Sequence, residues 1–269
     1  MSEEPSTEET AAEEPAAVSD ALEEGTLLSH LVELRDRLVR IAVSVIAVFI
    51  VLLPFSARIF EVVSQPIRDV LPGGQMIATE VASPLLAPFK MTLFVALFIA
   101  MPVVLYQVWA FVAPGLYQKE KRFAIPLLAS SIFLFYLGIA FAYFVVFPLI
   151  FGFFTAVAPV DVEVQTDITK YLDFITTIVF AFGLAFEVPI ATVLVVWTGL
   201  TTPKKLGKAR PYVFLGAFVM GMFLTPPDVI SQTLLAVPIY LLYELGIMMS
   251  KIYVKREEEP EEEEETEAE

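Results

Sequence analysis

The sequence predicts an all-α, polytopic membrane protein with six transmembrane helices in a kinked, concave bundle and both termini inside. The chain of 269 residues is 57% hydrophobic, which exceeds the usual apolar share of soluble domains, and its mean hydropathy is +0.72. The apolar residues fall into six separate stretches. If each stretch crosses the membrane, the basic residues concentrate on one side.

Each apolar stretch is a candidate span. About 20 apolar residues are needed to cross a hydrocarbon core of about 30 Å, and the first four stretches meet or nearly meet that length. The last two helices are predicted to be short. The fifth stretch, for example, offers only 14 residues, roughly 21 Å of helix. The predicted spans are Ile41–Ala57, Phe89–Val112, Ile125–Phe154, Tyr171–Trp197, Pro211–Leu224 and Val229–Ser250.

Prolines inside these spans predict bent helices, because each removes a backbone donor and disturbs the preceding turn. Membrane helices tolerate such bends where neighbouring groups satisfy the freed carbonyl. Bent helices favour a concave bundle over a parallel one. The prolines are Pro54, Pro102, Pro126, Pro148, Pro189 and Pro238.

The distribution of Lys and Arg predicts the orientation. With six crossings, one side holds only four of the 17 basic residues. The side that holds the other thirteen is predicted to be cytoplasmic, together with both termini. The four on the external side are Arg58, Arg68, Lys90 and Lys170.

The two ends of the chain are strongly acidic. Residues 1–29 contain nine acidic and no basic residues, and residues 257–269 contain ten acidic and no basic ones. Segments rich in Glu, Ala, Pro and Thr bury little apolar surface, so 1–26 and 254–269 are predicted to be disordered tails around a membrane domain of residues 27–253. An acidic arm that binds a partner is the alternative interpretation.

Composition excludes several chemistries. The chain has no cysteine and one histidine, His30, which excludes disulfides and thiol nucleophiles and leaves too few ligands for a typical His-based zinc site. A Ser-His-Asp site would need His30 at the membrane surface, with no nucleophile motif near it. We therefore expect no catalytic residue, metal or cofactor.

Glu33 lies just before the first span. Leucines and Ile41 recur with helical spacing across residues 27–41, which predicts an amphipathic helix at the cytoplasmic interface. Glu33 and Arg37 share one face at i,i+4, as do Asp36 and Arg40. The local interpretation is a solvated face with ion pairs of about 0.3–0.5 kcal/mol each. The alternative is a functional carboxylate.

Two further carboxylates stand out. Glu120 lies in the cytoplasmic connection between spans two and three, where a solvated charge is the ordinary interpretation. Glu187 lies inside span four, beside Pro189. A carboxylate at membrane depth costs several kcal/mol unless it is paired, protonated or hydrated, so Glu187 is a functional candidate. Its structural alternative is a protonated side chain bonded to a helix carbonyl, and Glu244 near the inner end of span six ranks lower.

Five segments together resemble the TatC family, the polytopic receptor of the twin-arginine protein translocase. Their order and spacing both agree with the family, and the resemblance covers about residues 27–253. The segments are Ser29–Leu38, Tyr106–Tyr117, Glu120, Phe186–Pro189 and Leu224–Asp228.

The resemblance implies a receptor without a catalytic site. It would bind signal peptides with two consecutive arginines on folded cargo. One departure is visible: Lys121 stands where many members have arginine, which keeps the charge but loses the guanidinium fork. By resemblance the signal-peptide positions are Glu33, Glu120, Arg35, Phe111, Lys121 and Arg122, the intramembrane partner contact is Glu187, and Asp228 is a functional residue of the last external loop.

The resemblance also implies partners and a location. The partners are single-span proteins of the TatA and TatB type, the lipid bilayer and further copies of the chain, with no nucleic acid. The location is the bacterial inner membrane, where the proton-motive force drives export. For Asp228 itself, capping the sixth helix is the structural interpretation.

The competing function is a proton-coupled secondary transporter that uses Glu187 as its proton site. Such a carrier would be expected to show an internal repeat and further intramembrane charges. The sequence shows no obvious repeat and few other intramembrane charges, which argues against this function.

Overall fold

The computed structural model describes residues 14–65, 76–112, 121–157, 166–224 and 229–267, and the side chains of 31–65, 76–111, 125–157, 166–224 and 229–252. Helices dominate it. They are α1 (Glu14–Leu52), α2 (Ser56–Val63), α3 (Ser83–Val112), α4 (Lys121–Phe141), α5 (Phe147–Val157), α6 (Ile168–Ala185), α7 (Val188–Trp197), α8 (Pro203–Leu224) and α9 (Val229–Glu267). Two short strands, β1 (Met76–Ile77) and β2 (Thr166–Asp167), pair in parallel.

Five helical stretches in the described part of the chain are long and apolar enough to cross a membrane. They correspond to predicted spans one to four and six. Predicted span five lies within α8, which falls short because its first turns are basic. The sixth predicted span is longer than expected, since the apolar stretch runs over Val229–Ile252. The polytopic helical architecture is therefore as predicted, with five stretches of spanning length and a shorter apolar stretch in α8.

The predicted interfacial helix of residues 27–41 is not separate from the first span. Both belong to α1, because no proline or glycine interrupts the chain between Leu27 and Leu52. The break comes at Pro54, where a 3-10 turn over Leu53–Phe55 leads into α2. The apolar stretch then extends to Val63, beyond the predicted limit of Ala57.

The predicted tail limits also differ from the helix ends. α1 begins at Glu14 and α9 ends at Glu267, so each helix extends into an acidic segment. Ala, Glu and Leu have high helix propensity, which accounts for the extension of a helix that the apolar span has already nucleated. Unstructured tails remain a prediction for residues 1–13, which lie outside the described residues.

Two of the predicted proline effects take distinct forms. Before Pro148 the helix widens into a π segment over Ala142–Val146, which relieves the clash of the ring with the preceding turn. Before Pro189 the helix is interrupted, since α6 ends at Ala185 and α7 begins at Val188. Glu187 therefore lies at a break in span four rather than within a regular helix.

Span four forms the centre of the bundle. Among the most apolar residues of span four 56% are buried, whereas among those of the first span 0% are buried. α4 and α6 approach closely because Gly138 faces the backbone of Phe182, where a Cβ atom would lie 2.6 Å from the carbonyl oxygen. Phe135 packs against Gly183 beside that contact, and Phe135, Phe147 and Phe182 are all buried. α1 packs against α3, while α8 and α7 both pack against α9.

Candidate functional site

Glu33 forms an ion pair with Arg37, one turn further along α1. Arg37 Nε donates a hydrogen bond of 3.1 Å to Glu33 Oε1, and Arg37 Nη2 donates to the same oxygen. The Glu33 side chain is 36% exposed and that of Arg37 only 15%. The i,i+4 pair predicted from the sequence is therefore present, but it is half-buried rather than fully solvated.

The guanidinium of Arg37 also reaches α3. Nη2 donates to the carbonyl oxygen of Ala110 at 2.9 Å, and Nη1 lies 3.4 Å from Gln107 Oε1. Ala110 is in the last turn of α3, where carbonyl groups lack partners within the helix. Arg37 therefore caps the C-terminal end of α3 and joins it to Glu33. Sequence reasoning did not anticipate Gln107, whose buried amide inside an apolar span was an available signal.

The predicted pairing of Asp36 with Arg40 is wrong. Asp36 Oδ1 instead accepts from its neighbour Arg35, at 2.8 Å from Nη2 and 3.0 Å from Nε. The i,i+4 spacing brings two side chains within reach of each other. It does not prevent the guanidinium of an adjacent residue from forming the hydrogen bond instead. Both partners are half-exposed or more. A cleft of about 360 Å³ lies along this face of α1, lined by Val32, Glu33, Asp36, Arg37 and Arg40.

Glu187 opens onto a second, apolar cavity inside the membrane domain. Its Oε2 accepts a hydrogen bond from Ser131 of α4. Its Oε1 is buried and accepts no hydrogen bond from the described residues. The cavity has a volume of about 390 Å³ and is lined by Leu97, Met101, Val104, Leu105, Val108, Trp109, Ser131, Phe180, Leu184, Glu187, Ile190, Ala191 and Leu194.

Glu244, by contrast, is engaged by neighbouring side chains. Arg210 of α8 contacts both carboxylate oxygens, with 2.7 Å from Nε to Oε1 and 2.8 Å from Nη2 to Oε2. Tyr240 donates a further hydrogen bond to Oε1 at 2.9 Å. This bidentate pair fastens α8 to α9. The pair gives Glu244 a structural role. This agrees with the sequence interpretation, in which Glu187 is the stronger functional candidate of the two.

Hydrogen bonds brace the segment after β1 against the start of α6. Asp167 Oδ2 accepts from the Thr79 hydroxyl at 2.6 Å and the Thr79 amide at 3.0 Å, while Oδ1 accepts from the amides of Thr169 and Lys170. The hydrogen bond from the Thr79 side chain, followed by the backbone hydrogen bonds, lowers the pKa of Asp167 to about 2. A second contact joins Lys90 to Asp173 at 2.8 Å.

Several predicted site residues lie outside the described part of the chain. Glu120 and Asp228 are among them, and the side chains of Lys121 and Arg122 are not described either. Phe111 is half-buried in the last turn of α3, one residue after Ala110. The described geometry therefore brings Glu33, Arg37 and the end of α3 together, while Glu187 lies in the separate apolar cavity.

Comparison with known proteins identifies the family. Residues 29–238 match the family described as Sec-independent protein translocase protein (TatC). The chain belongs to the TatC family. Among its relatives are the TatC proteins of Azotobacter chroococcum, 57% identical over 240 residues and covering 89% of this chain and 94% of the relative, and of Escherichia coli K12, 55% identical over 229 residues and covering 85% and 89%.

A solved TatC structure agrees with this assignment. The crystal structure of a twin-arginine translocase receptor TatC superposes with a TM-score of 0.75 at 38% identity, covering 83% of this chain and 98% of that one. TatC proteins are named as translocase components and not as enzymes. The chain is accordingly a multi-pass membrane component of a protein translocase, and the transporter alternative is not favoured.

Proposed function

We propose that this chain is the receptor subunit of a bacterial twin-arginine translocase and that Glu33 and Glu120 bind the paired arginines of a signal peptide. One observation carries the proposal for Glu33. Its carboxylate already binds a guanidinium through Oε1, in a polar cleft along the part of α1 where the apolar span begins. Charge-assisted bonds of this kind recognise the planar fork of arginine better than the point charge of lysine.

The proposed site combines two carboxylates on the cytoplasmic face. Arg35, Phe111, Lys121 and Arg122 complete it. The positive-inside bias supports the cytoplasmic assignment of this face and of both termini. Relatives from bacteria such as Escherichia coli support a location in the inner membrane. Export driven by the proton-motive force is part of the proposal.

The test is binding of a photo-crosslinking peptide that carries two consecutive arginines. We expect Glu120→Gln and Glu33→Gln each to weaken its binding by about ten- to hundredfold, because a charge-assisted hydrogen bond contributes roughly 1.5–3 kcal/mol. A peptide with two lysines in their place should bind both variants as it binds the wild type. Glu61→Gln, an exposed carboxylate of α2 on the external side, is the matched control. Equal binding of the arginine peptide by Glu120→Gln and wild type contradicts the proposed role of Glu120.

Glu187 is proposed to contact the transmembrane helix of a TatA- or TatB-type partner. The apolar cavity supports this, since its single carboxylate has one buried oxygen that accepts no hydrogen bond from the described residues. A polar side chain on an incoming helix would donate to that oxygen, which is otherwise costly to leave unbonded. Asp228 is proposed to act in the external loop between α8 and α9, and further copies of the chain to complete the receptor complex.

The partner contact is tested by site-specific crosslinking. Glu187→Ala should reduce crosslinks to a single-span partner helix, because the acceptor is lost. Glu187→Gln should retain most of them, since the amide oxygen still accepts a hydrogen bond. Unchanged crosslinking in Glu187→Ala rules out this role.

A further inference from the structure

Arg37 holds Glu33 in place by contacts on two helices at once. Its guanidinium donates to Glu33 Oε1 on α1 and to the Ala110 carbonyl on α3, and its Nη1 lies near Gln107. The side chain is 15% exposed, against 71% for Arg35 two residues earlier on the same helix. Arg37 therefore belongs to the interface between the helices, whereas Arg35 projects into solvent.

The contacts distinguish the two oxygens of Glu33. Both hydrogen bonds from Arg37 reach Oε1, and none from the described residues reaches Oε2. A carboxylate has about four lone-pair sites, so it retains acceptor capacity when one oxygen is occupied. Removing Arg37 would free the carboxylate to rotate among its side-chain rotamers, and a ligand would then have to order it on binding.

We propose that Arg37 is a positioning residue for arginine recognition, fixing the Glu33 carboxylate so that Oε2 is the acceptor for a ligand guanidinium. The inference rests on the proposed function. Arg37 is held by acceptors on both helices, so displacing it would break contacts with α3 as well as with Glu33. A ligand therefore adds to the pair instead of replacing Arg37.

The arrangement also favours arginine over lysine. With Arg37 beside it, the Glu33 carboxylate presents little net negative charge, so a compact ammonium gains little attraction there. A guanidinium gains equally little from charge attraction, but its directional N–H donors form hydrogen bonds that match the fixed carboxylate oxygen. Arg37 thus makes the site select for hydrogen-bond geometry rather than for positive charge alone.

The experiment measures crosslinking affinity in membrane vesicles that contain the full-length chain with its translocase partners. The two probes are a peptide with paired arginines and the same peptide with paired lysines. Arg37→Gln should weaken binding of the arginine peptide by about tenfold and leave that of the lysine peptide unchanged or stronger, so the selectivity ratio falls. Arg37→Lys should restore the ratio only in part, because an ammonium has no fork to span both helices.

Arg58→Gln is the control, since it removes the same charge from an exposed arginine of α2 that does not line the cleft around Glu33. It should change the selectivity ratio by less than about twofold. Thermal unfolding of each variant separates loss of the fold from loss of selectivity. A merely structural role would lower the unfolding temperature of Arg37→Gln and leave the ratio at its wild-type value.

Two results would overturn the inference: an unchanged selectivity ratio in folded Arg37→Gln, or tighter binding of the arginine peptide, which would mean that Arg37 competes with the ligand. Glu33→Gln separates this failure from that of the proposed function. If Glu33→Gln binds the arginine peptide as the wild type does, the role of Glu33 itself is wrong. If it binds weakly while Arg37→Gln keeps its selectivity, only the positioning role is wrong.

Discussion

At the scale of single residues, the two acidic side chains of interest are held by different means. Glu33 is stabilised by a charged partner on its own helix, whereas Glu187 is held by the neutral hydroxyl of Ser131 on another helix. Water and counterions are scarce at membrane depth, so the hydroxyl carries much of the compensation for burying the Glu187 carboxyl group.

Ser131→Ala tests that compensation. Removing the hydroxyl leaves both oxygens of Glu187 without a donor among the described residues, which should lower the free energy of unfolding by about 1–3 kcal/mol. Thermal unfolding in detergent measures the effect. Ser130→Ala is the matched control, because Ser130 is exposed and donates only to the Pro126 carbonyl of its own helix. Equal unfolding temperatures for the two variants would mean that the bond to Glu187 contributes little.

At the scale of elements, Asp167 performs two tasks through its two oxygens. One oxygen caps the N-terminus of α6, and the other binds Thr79 beyond β1. The cap favours a carboxylate at the positive end of the helix dipole. The bonds to Thr79 fix the segment before α3 against the start of α6, outside the membrane-spanning stretches.

The brace should be acid-sensitive. Because the pKa of Asp167 falls from an ordinary value of 3.8 to about 2 on folding, its contribution to stability is complete above about pH 4 and is lost as the pH falls towards 2. Asp167→Asn keeps an acceptor for the helix cap but would place an amide donor opposite the donors of Thr79. We expect it to unfold at a lower temperature than wild type at pH 6.

The difference between the Asp167→Asn variant and the wild type should shrink as the pH approaches 2. Thermal unfolding across this range measures it, with Glu80→Gln as the control for an exposed carboxylate of the same region. A difference that is constant from pH 6 to pH 2 would show that the charge of Asp167 is not responsible.

At the scale of the whole molecule, the distribution of basic residues predicts which side of the protein faces the cytoplasm. The chain has no cysteine, so single cysteines report accessibility without background. An impermeant maleimide added outside intact spheroplasts should label Val81→Cys, whose position before α3 is fully exposed, and should not label Lys204→Cys at the start of α8. Labelling of Lys204→Cys from outside would reverse the predicted orientation.

Much of the fold was predictable because hydropathy and helix breaking are local properties. Apolar runs give spans whatever surrounds them. Prolines coincide with an interruption or widening of the helix at Pro54, Pro148 and Pro189, whereas Pro102, Pro126 and Pro238 lie inside continuous helices. The short apolar stretch within α8 was predictable for the same reason. The limits of the first span were not predictable from hydropathy. The helix continues through Glu33 and Ile41 because no helix-breaking residue interrupts it, although the polarity of the sequence changes there.

The sequence by itself determined that this protein crosses the membrane several times, that its basic residues lie mainly on one side, and that Glu33 and Glu187 need an explanation. The sequence also predicted Arg37 as the partner of Glu33, but only the tertiary structure decided that Arg37 reaches a second helix and that Ser131 bonds to Glu187. Ser131 and Glu187 are 56 residues apart, Arg37 and Ala110 are 73 apart, and Thr79 and Asp167 are 88 apart. Such contacts depend on how the helices pack against each other, which the periodicity of a single helix does not specify. Asp36 likewise bonds to Arg35 and not to Arg40. Spacing along a helix determines which side chains are near each other, but it does not determine which of them form a hydrogen bond.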